Sequence, residues 1–198
     1  MRTVHVAAML IDLMAAIRAH AQTSVTNTLE GFQSQFHAVF DAFQHHNEAA
    51  MQERLQTFAI PSHWFTDSFV PGQAAEFTRQ YAGAFADFKR RTASNFAGID
   101  TLKRRVQVDA ATPVNIRTRR WTPTESTGTP HLSALSAPLP PLQKFEIDYM
   151  LDAPGQGARL TSWIESFIYI DGAFRFFGQG SRPFWAPAPT PKSLIREQ

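Results

Sequence analysis

The chain has 198 residues, a net charge of +2 and no cysteine. That length suits one domain with a sizeable core. The missing cysteine excludes disulfides, thiolate metal sites and cysteine nucleophiles, and the small net charge gives no global attraction for nucleic acid. Aromatic residues make up 12% of the chain, a share that excludes a disordered composition.

Residues 1–21 stand apart. Arg2 is followed by the mostly apolar "VHVAAMLIDLMAAI", then "RAHAQ", with Ala19 and Ala21 forming a small-x-small pair ahead of Gln22. This is the layout of a secretory signal peptide, and it places the protein in the periplasm or outside the cell. The alternative is an amphipathic first helix of a cytoplasmic protein. His5 and Asp12 interrupt the run, which is too short for a transmembrane anchor.

Helical spacing follows. Val25, Leu29, Phe32, Phe36, Val39, Phe40 and Phe43 recur in steps of three and four, predicting a helix over 23–46 with Thr26 or Asn27 as its cap. Met51, Leu55 and Phe58 predict a second helix over 47–58, stopped by Pro61. "SHWFTDSF" reads as a connector or a single helical turn. A long helix then runs from about Gln73 to Phe96 on the stripe Phe77, Tyr81, Ala84, Phe85, Phe88, Thr92 and Phe96, with Gly98 placed to end it.

Beyond Gly98 the period changes to two. "RRVQVDA", "VNIRTRRW", "KFEIDYML", "LTSWIESFIYI" and "AFRFFG" read as about five consecutive strands. Residues 122–141 carry five prolines and read as a loop, with "HLSALSA" as a short turn inside it. "APGQG" reads as a turn and 182–198 as a Pro-rich extended tail. The domain is therefore 22–181. Helices first and strands last predict an α+β fold, with the long helix packed on an antiparallel sheet.

Asp171-Gly172 suits a two-residue type I′ hairpin turn. It pairs Ile170 with Ala173, Tyr169 with Phe174, Ile168 with Arg175 and Phe167 with Phe176. One face then carries Trp163, Glu165, Phe167, Tyr169, Phe174 and Phe176. The other carries Ile164, Ser166, Ile168, Ile170, Ala173, Arg175 and Phe177. Both faces need cover, which a pocket, a second copy of the chain, or the protein's own loops would supply.

Two stretches carry a resemblance. "HWFTDSF" before a long helix, and the run from Trp163 to Gly178, resemble uncharacterised exported bacterial proteins with the NTF2-like (cystatin-like) α+β cone. The likeness covers about residues 30–185. The spacing of Phe77, Tyr81 and Phe85 before a sheet is also similar to periplasmic phospholipid carriers of the toluene-tolerance type. The Pro-rich loop and the ending depart from those carriers. The NTF2-like fold hosts isomerases, dehydratases and non-catalytic modules, so the fold does not select a function.

The candidate chemistry is sparse. His37, Asp41 and His45 share a helix face at a spacing that suits zinc, but the Phe36, Phe40 and Phe43 stripe leaves them toward solvent. Glu165 is the candidate general base, because it shares a face with Trp163 and Phe167, where desolvation raises a carboxylate's pKa. Arg175 lies on the opposite face and is not its partner. Glu146 and Asp148 sit with Lys144 on the polar side of their strand and read as solvated. His63 reads as a structural histidine. The basic residues between Lys89 and Arg120 read as a solvated helix end with scattered strand arginines. No Gly-rich phosphate loop and no G-x-S-x-G context is present.

The expected function is therefore an exported, non-catalytic binding or accessory module, with no metal or cofactor. It would meet a partner, or a second copy, through its sheet. One alternative is a periplasmic carrier of a small apolar or lipid-like ligand, held by Trp163, Phe167, Tyr169, Phe174 and Phe176 against Tyr81 and Phe85. Another is a small NTF2-like isomerase or dehydratase using Glu165.

Overall fold

A computed structural model describes residues 24–70, 72–109, 112–121, 139–151, 159–179 and 182–184. The expectations for residues 1–21, for "HLSALSA", for "APGQG" and for the tail beyond 184 lie outside these. Among the described residues the fold is α+β: four helices precede an open antiparallel sheet.

Helix α1 spans Leu29–Gln44. Its start is set by Thr28, whose hydroxyl accepts the Gly31 N–H at 3.1 Å, and not by Thr26 or Asn27 as the spacing suggested. The Thr26 hydroxyl is engaged with that of Thr28 at 3.0 Å. A Cβ on Gly31 would fall 2.0 Å from the Thr26 carbonyl oxygen, so only glycine allows this tight entry. Helix α2 spans Glu48–Gln56, with the Asn47 side chain accepting from the Ala50 N–H. Helix α3, Ser62–Ser68, turns "SHWFTDS" into a full helical segment behind Pro61.

Helix α4 spans Ala74–Arg105 and corrects two expectations. Gly98 does not end it, and "RRVQVDA" is not a strand. Thr92, Phe96 and Ile99 are buried at helical spacing, and Leu102 and Val106 continue the stripe against the core. That packing outweighs the roughly 1 kcal/mol that an interior glycine costs. The helix closes at Arg105 because Gln107 turns left-handed, at φ 57°. Helix α1 closes the same way at His46, at φ 53°. Both ends are locked by returning bonds: His46 and Asn47 N–H to the Phe43 and Ala42 carbonyls, and Gln107 and Val108 N–H to those of Arg104 and Lys103.

Strands β1 (Val114–Trp121), β2 (Gln143–Leu151), β3 (Arg159–Ile170) and β4 (Ala173–Gln179) form a meander in chain order. Arg182–Pro183, a two-residue β5, pairs at the edge of β4. The hairpin register matches the expectation at all four pairs nearest the turn, and Asp171 and Gly172 both take positive φ. Farther from the turn a bulge intervenes: Ser166 pairs with Gly178 while Phe167 pairs with Phe176. Phe177 is the extra residue. It turns toward Trp64 and Phe184, while Phe176 stays in the core.

The outer edge of β4 is sealed by side chains and loop. The Gln35 amide donates to the Phe174 carbonyl at 3.1 Å and accepts the Phe174 N–H at 3.0 Å, standing in for a strand. Phe176 N–H donates to the Phe58 carbonyl, and the Arg175 guanidinium donates to the Thr57 and Ala59 carbonyls. This blunts an edge that would otherwise pair with other chains. Gln35→Leu strands both buried Phe174 groups and is expected to lower unfolding free energy by about 2–3 kcal/mol in urea titrations. A loss below about 0.5 kcal/mol would show that the seal is dispensable.

Both α1 and α4 lie over one sheet face and fill it with rings. Phe32 stacks on Phe145 at 3.8 Å, and Phe88 stacks on Phe176 at 4.4 Å. The other face brings a correction. Lys144, Glu146 and Asp148 are buried within the single chain rather than solvated. Arg119 of β1 reaches across the strand pair to bind Glu146, and burial holds the Lys144 ammonium below its ordinary pKa. Alternation along β2 marked these residues as a separate face, but it carried no information about what covers that face.

Candidate functional site

Glu165 sits near the middle of β3, between Phe145 of β2 and Gln179 of β4. Alternation with Phe167 turns it toward the helices, as the strand period implied. It is 2% exposed. Its Oε1 accepts a charged hydrogen bond from Arg91 Nη2 of α4 at 2.9 Å, while its Oε2 is buried without a hydrogen bond. Burial pushes its carboxyl up to about 7, and the neighbouring Arg91 charge and hydrogen bond offset only part of this. Arg175, on the opposite face, binds backbone carbonyls instead. By sequence alone Arg91 falls among the basic residues of the helix end. Its position three residues after Phe88 and one before Thr92, on the margin of the buried stripe, is the signal that could have marked it as a sheet-facing cation.

Of the aromatic residues read as ligand-binding, Tyr81, Phe85, Phe167, Phe174 and Phe176 are parts of the packed interior. Phe167, Phe174 and Phe176 are buried, and each meets several rings: Phe32 and Phe145 for Phe167 and Phe174, and Phe88 and Phe85 for Phe176. Tyr81 and Phe85 stack at 5.7 Å on the inner side of α4. The Tyr81 hydroxyl accepts the Ile60 N–H at 2.8 Å, and burial pushes its phenol well up. Tyr169 is half-buried and donates its hydroxyl to the Val25 carbonyl, tying β3 to the chain entering α1. Trp163 pairs through its backbone with Ile147, and its side chain lies outside the described residues.

The two cavities described lie elsewhere. One, of about 770 Å³, is the groove between α1 and α2, lined by Ser34, His37, Ala38, Asp41, Glu53 and Arg54 among others. Arg54 spans it, donating to the Ala38 carbonyl at 2.5 Å and lying 3.7 Å from the Asp41 carboxylate. His37, Asp41 and His45 are exposed, and His45 Nδ1 lies 2.8 Å from the Asp41 carbonyl oxygen. Among the described residues no group of three histidine or carboxylate side chains is placed to hold a metal ion. The second cavity, of about 520 Å³, lies where α1 and α4 end beside β1.

Other polar candidates serve as braces. His63 Nε2 lies 3.2 Å from the Asp171 carboxylate and links α3 to the hairpin turn. The basic residues are dispersed: Arg90 pairs with Asp87, Lys89 lies over the Phe85 ring, and Arg120 reaches Gln143 and the Phe145 ring. Among the described residues no helix is long and apolar enough to cross a membrane. In comparisons with known proteins, no family model, no curated protein and no solved structure matches this chain.

Proposed function

We propose that this chain is a non-catalytic binding or accessory module that acts outside the cytoplasm. The observation that supports the reading best is the filled space between helices and sheet. Phe32, Phe88, Phe145, Phe167, Phe174 and Phe176 occupy it with their own rings. Rings already interlocked at stacking distance have no surface to give a ligand without losing core contacts. The catalytic alternative needs a free carboxylate at Glu165, and its Oε1 is already engaged by Arg91 at 2.9 Å. The extracellular part of the reading rests on Arg2, the apolar run and the Ala19-x-Ala21 pair. We also read the helix-first, meander-last order as an NTF2-like arrangement; the continuous antiparallel meander with α1 and α4 on one face supports it.

Native mass spectrometry of the chain, purified without detergent from the cells that make it, tests this reading. The expected spectrum is protein alone. A bound mass that organic solvent strips away would overturn the reading in favour of an apolar-ligand carrier.

A further inference from the structure

The two edges of the sheet are treated differently. The β4 edge is closed by Gln35, the Phe58 carbonyl and Arg175. At the opposite edge, no described strand pairs with the outer side of β1. The hydrogen-bond phase of the sheet says which β1 groups are left open. Ile170 and Ala173 close a two-residue hairpin, so they form a hydrogen-bonded pair, and such pairs alternate along antiparallel strands. Carried through the registers, β3 turns the backbone of Phe167 and Glu165 toward β2, and β2 turns that of Glu146 and Asp148 toward β1. The Arg117 and Arg119 backbone therefore bonds within the sheet, while Ile116 and Thr118 turn their N–H and C=O groups outward. The Thr118 carbonyl fits this phase: it accepts from the Gln33 side chain of α1, at a long 3.4 Å.

Side chains set the chemistry of this edge. Arg117 is exposed, and among the described residues its guanidinium has no hydrogen bond or ion pair. Arg119 and Arg120 are exposed too, although Glu146 and Gln143 engage them. The carboxylates of the same face, Glu146 and Asp148, are buried. The charge presented along the edge is therefore positive. On the inner side, Ile116 is only half-buried. Edge cations ordinarily discourage pairing with other chains, and the strand they discourage least is an acidic one.

We propose that the β1 edge takes up an extended acidic segment of another protein by strand addition, with main-chain bonds at Ile116 and Thr118 and carboxylates beside Arg117. A second copy fits badly, because an antiparallel pair of β1 strands sets the arginines of one copy against those of the other. The connection that follows β1, residues 122–138, carries Glu125 as its single carboxylate. The inference rests on the reading of the chain as a binding module, and it names the surface and the class of partner.

Titration of the full chain with a capped peptide of alternating glutamate and valine, followed by amide NMR, tests it, with the lysine–valine peptide as control. Saturable binding of the glutamate peptide with a Kd below about 1 mM is expected. The shifts should centre on residues 114–120, and the affinity should fall as salt is raised. The lysine peptide should not bind. Arg117→Glu should weaken the glutamate peptide by roughly fivefold or more. Ile116→Pro deletes an outward N–H where an edge strand tolerates proline, and it should weaken binding without changing the charge. A wild-type-like amide spectrum away from β1 would establish that each variant is folded; if Ile116→Pro does not fold, Arg117→Glu decides. No saturation, equal binding of the two peptides, shifts centred elsewhere, or a folded variant of either kind that binds like wild type would each overturn the proposal. A solvent-extractable ligand in native mass spectrometry would instead overturn the non-carrier reading, so the two failures are distinguishable.

Discussion

Phe32→Ala is expected to destabilise the protein by about 3–5 kcal/mol. Phe32 is fully buried, and its ring meets Phe36, Phe58, Phe145, Phe167 and Phe174. It joins α1 to β2, β3 and β4 at once. Truncation removes the transfer free energy of a phenyl ring and leaves a cavity among side chains that are themselves pinned by rings on other elements. Those neighbours cannot collapse inward without breaking their own stacking. A domain of this size holds only about 5–15 kcal/mol in total, so the loss would take a large share of it. Urea unfolding followed by tryptophan fluorescence gives the value. Phe32→Leu, which keeps most of the volume, is expected to cost clearly less. A Phe32→Ala loss below about 1 kcal/mol would show that the aromatic layer is loosely packed, and would reopen the carrier reading.

Glu165 is expected to make stability fall as pH rises from about 4.5 to about 7. Its carboxyl is pushed up to about 7 in the fold, from an ordinary value of 4.5. Between those values the folded state binds more protons than the unfolded chain. The linkage slope is therefore negative across that window, and flat outside it for this group. Full ionisation above pH 7 costs on the order of 3 kcal/mol relative to the protonated form. Glu165→Gln removes the titration while keeping the shape. The difference between wild type and variant should therefore shift by that order, with wild type relatively better at pH 4.5 and relatively worse at pH 8. Equilibrium unfolding of both proteins across the window measures it. Parallel pH profiles would mean that the Arg91 ion pair offsets the desolvation, and that the Glu165 carboxyl is not raised.

Much of the architecture was legible in the sequence because its signals are local. The stripes through Phe32, Phe36 and Phe40, and through Tyr81, Phe85, Phe88 and Phe96, located the buried faces of α1 and α4. Asp171-Gly172 specified the hairpin and its first four pairs, since the turn type alone sets that register. The errors arose where a local signal competed with a distant contact. Gly98 reads as a helix stop, yet burial of Ile99 carries the helix through it. The bulge at Phe177 cannot be seen from alternation, because it exists to serve Trp64 and Phe184. The polar alternation of Lys144, Glu146 and Asp148 reads as a wet face, and nothing within β2 reports that the face is covered.

The candidate site divides along the same line. Glu165 was identifiable because period two put a carboxylate on an aromatic face, and desolvation follows from that placement. Its partner was not, because Arg91 lies 74 positions away and meets it only when α4 crosses the sheet. Likewise, the sequence distinguished the aromatic residues from the polar ones but not core from pocket. Whether Phe88 and Phe176 face each other across an opening or stack at 4.4 Å depends on how closely two layers approach. Periodicity by itself determined which side of each element is apolar and in what order the elements come. Interlayer distance, the capture of the Phe174 backbone by Gln35, and the extension of α4 that creates a second cavity were decided only by tertiary structure, because each depends on residues that are remote in the chain.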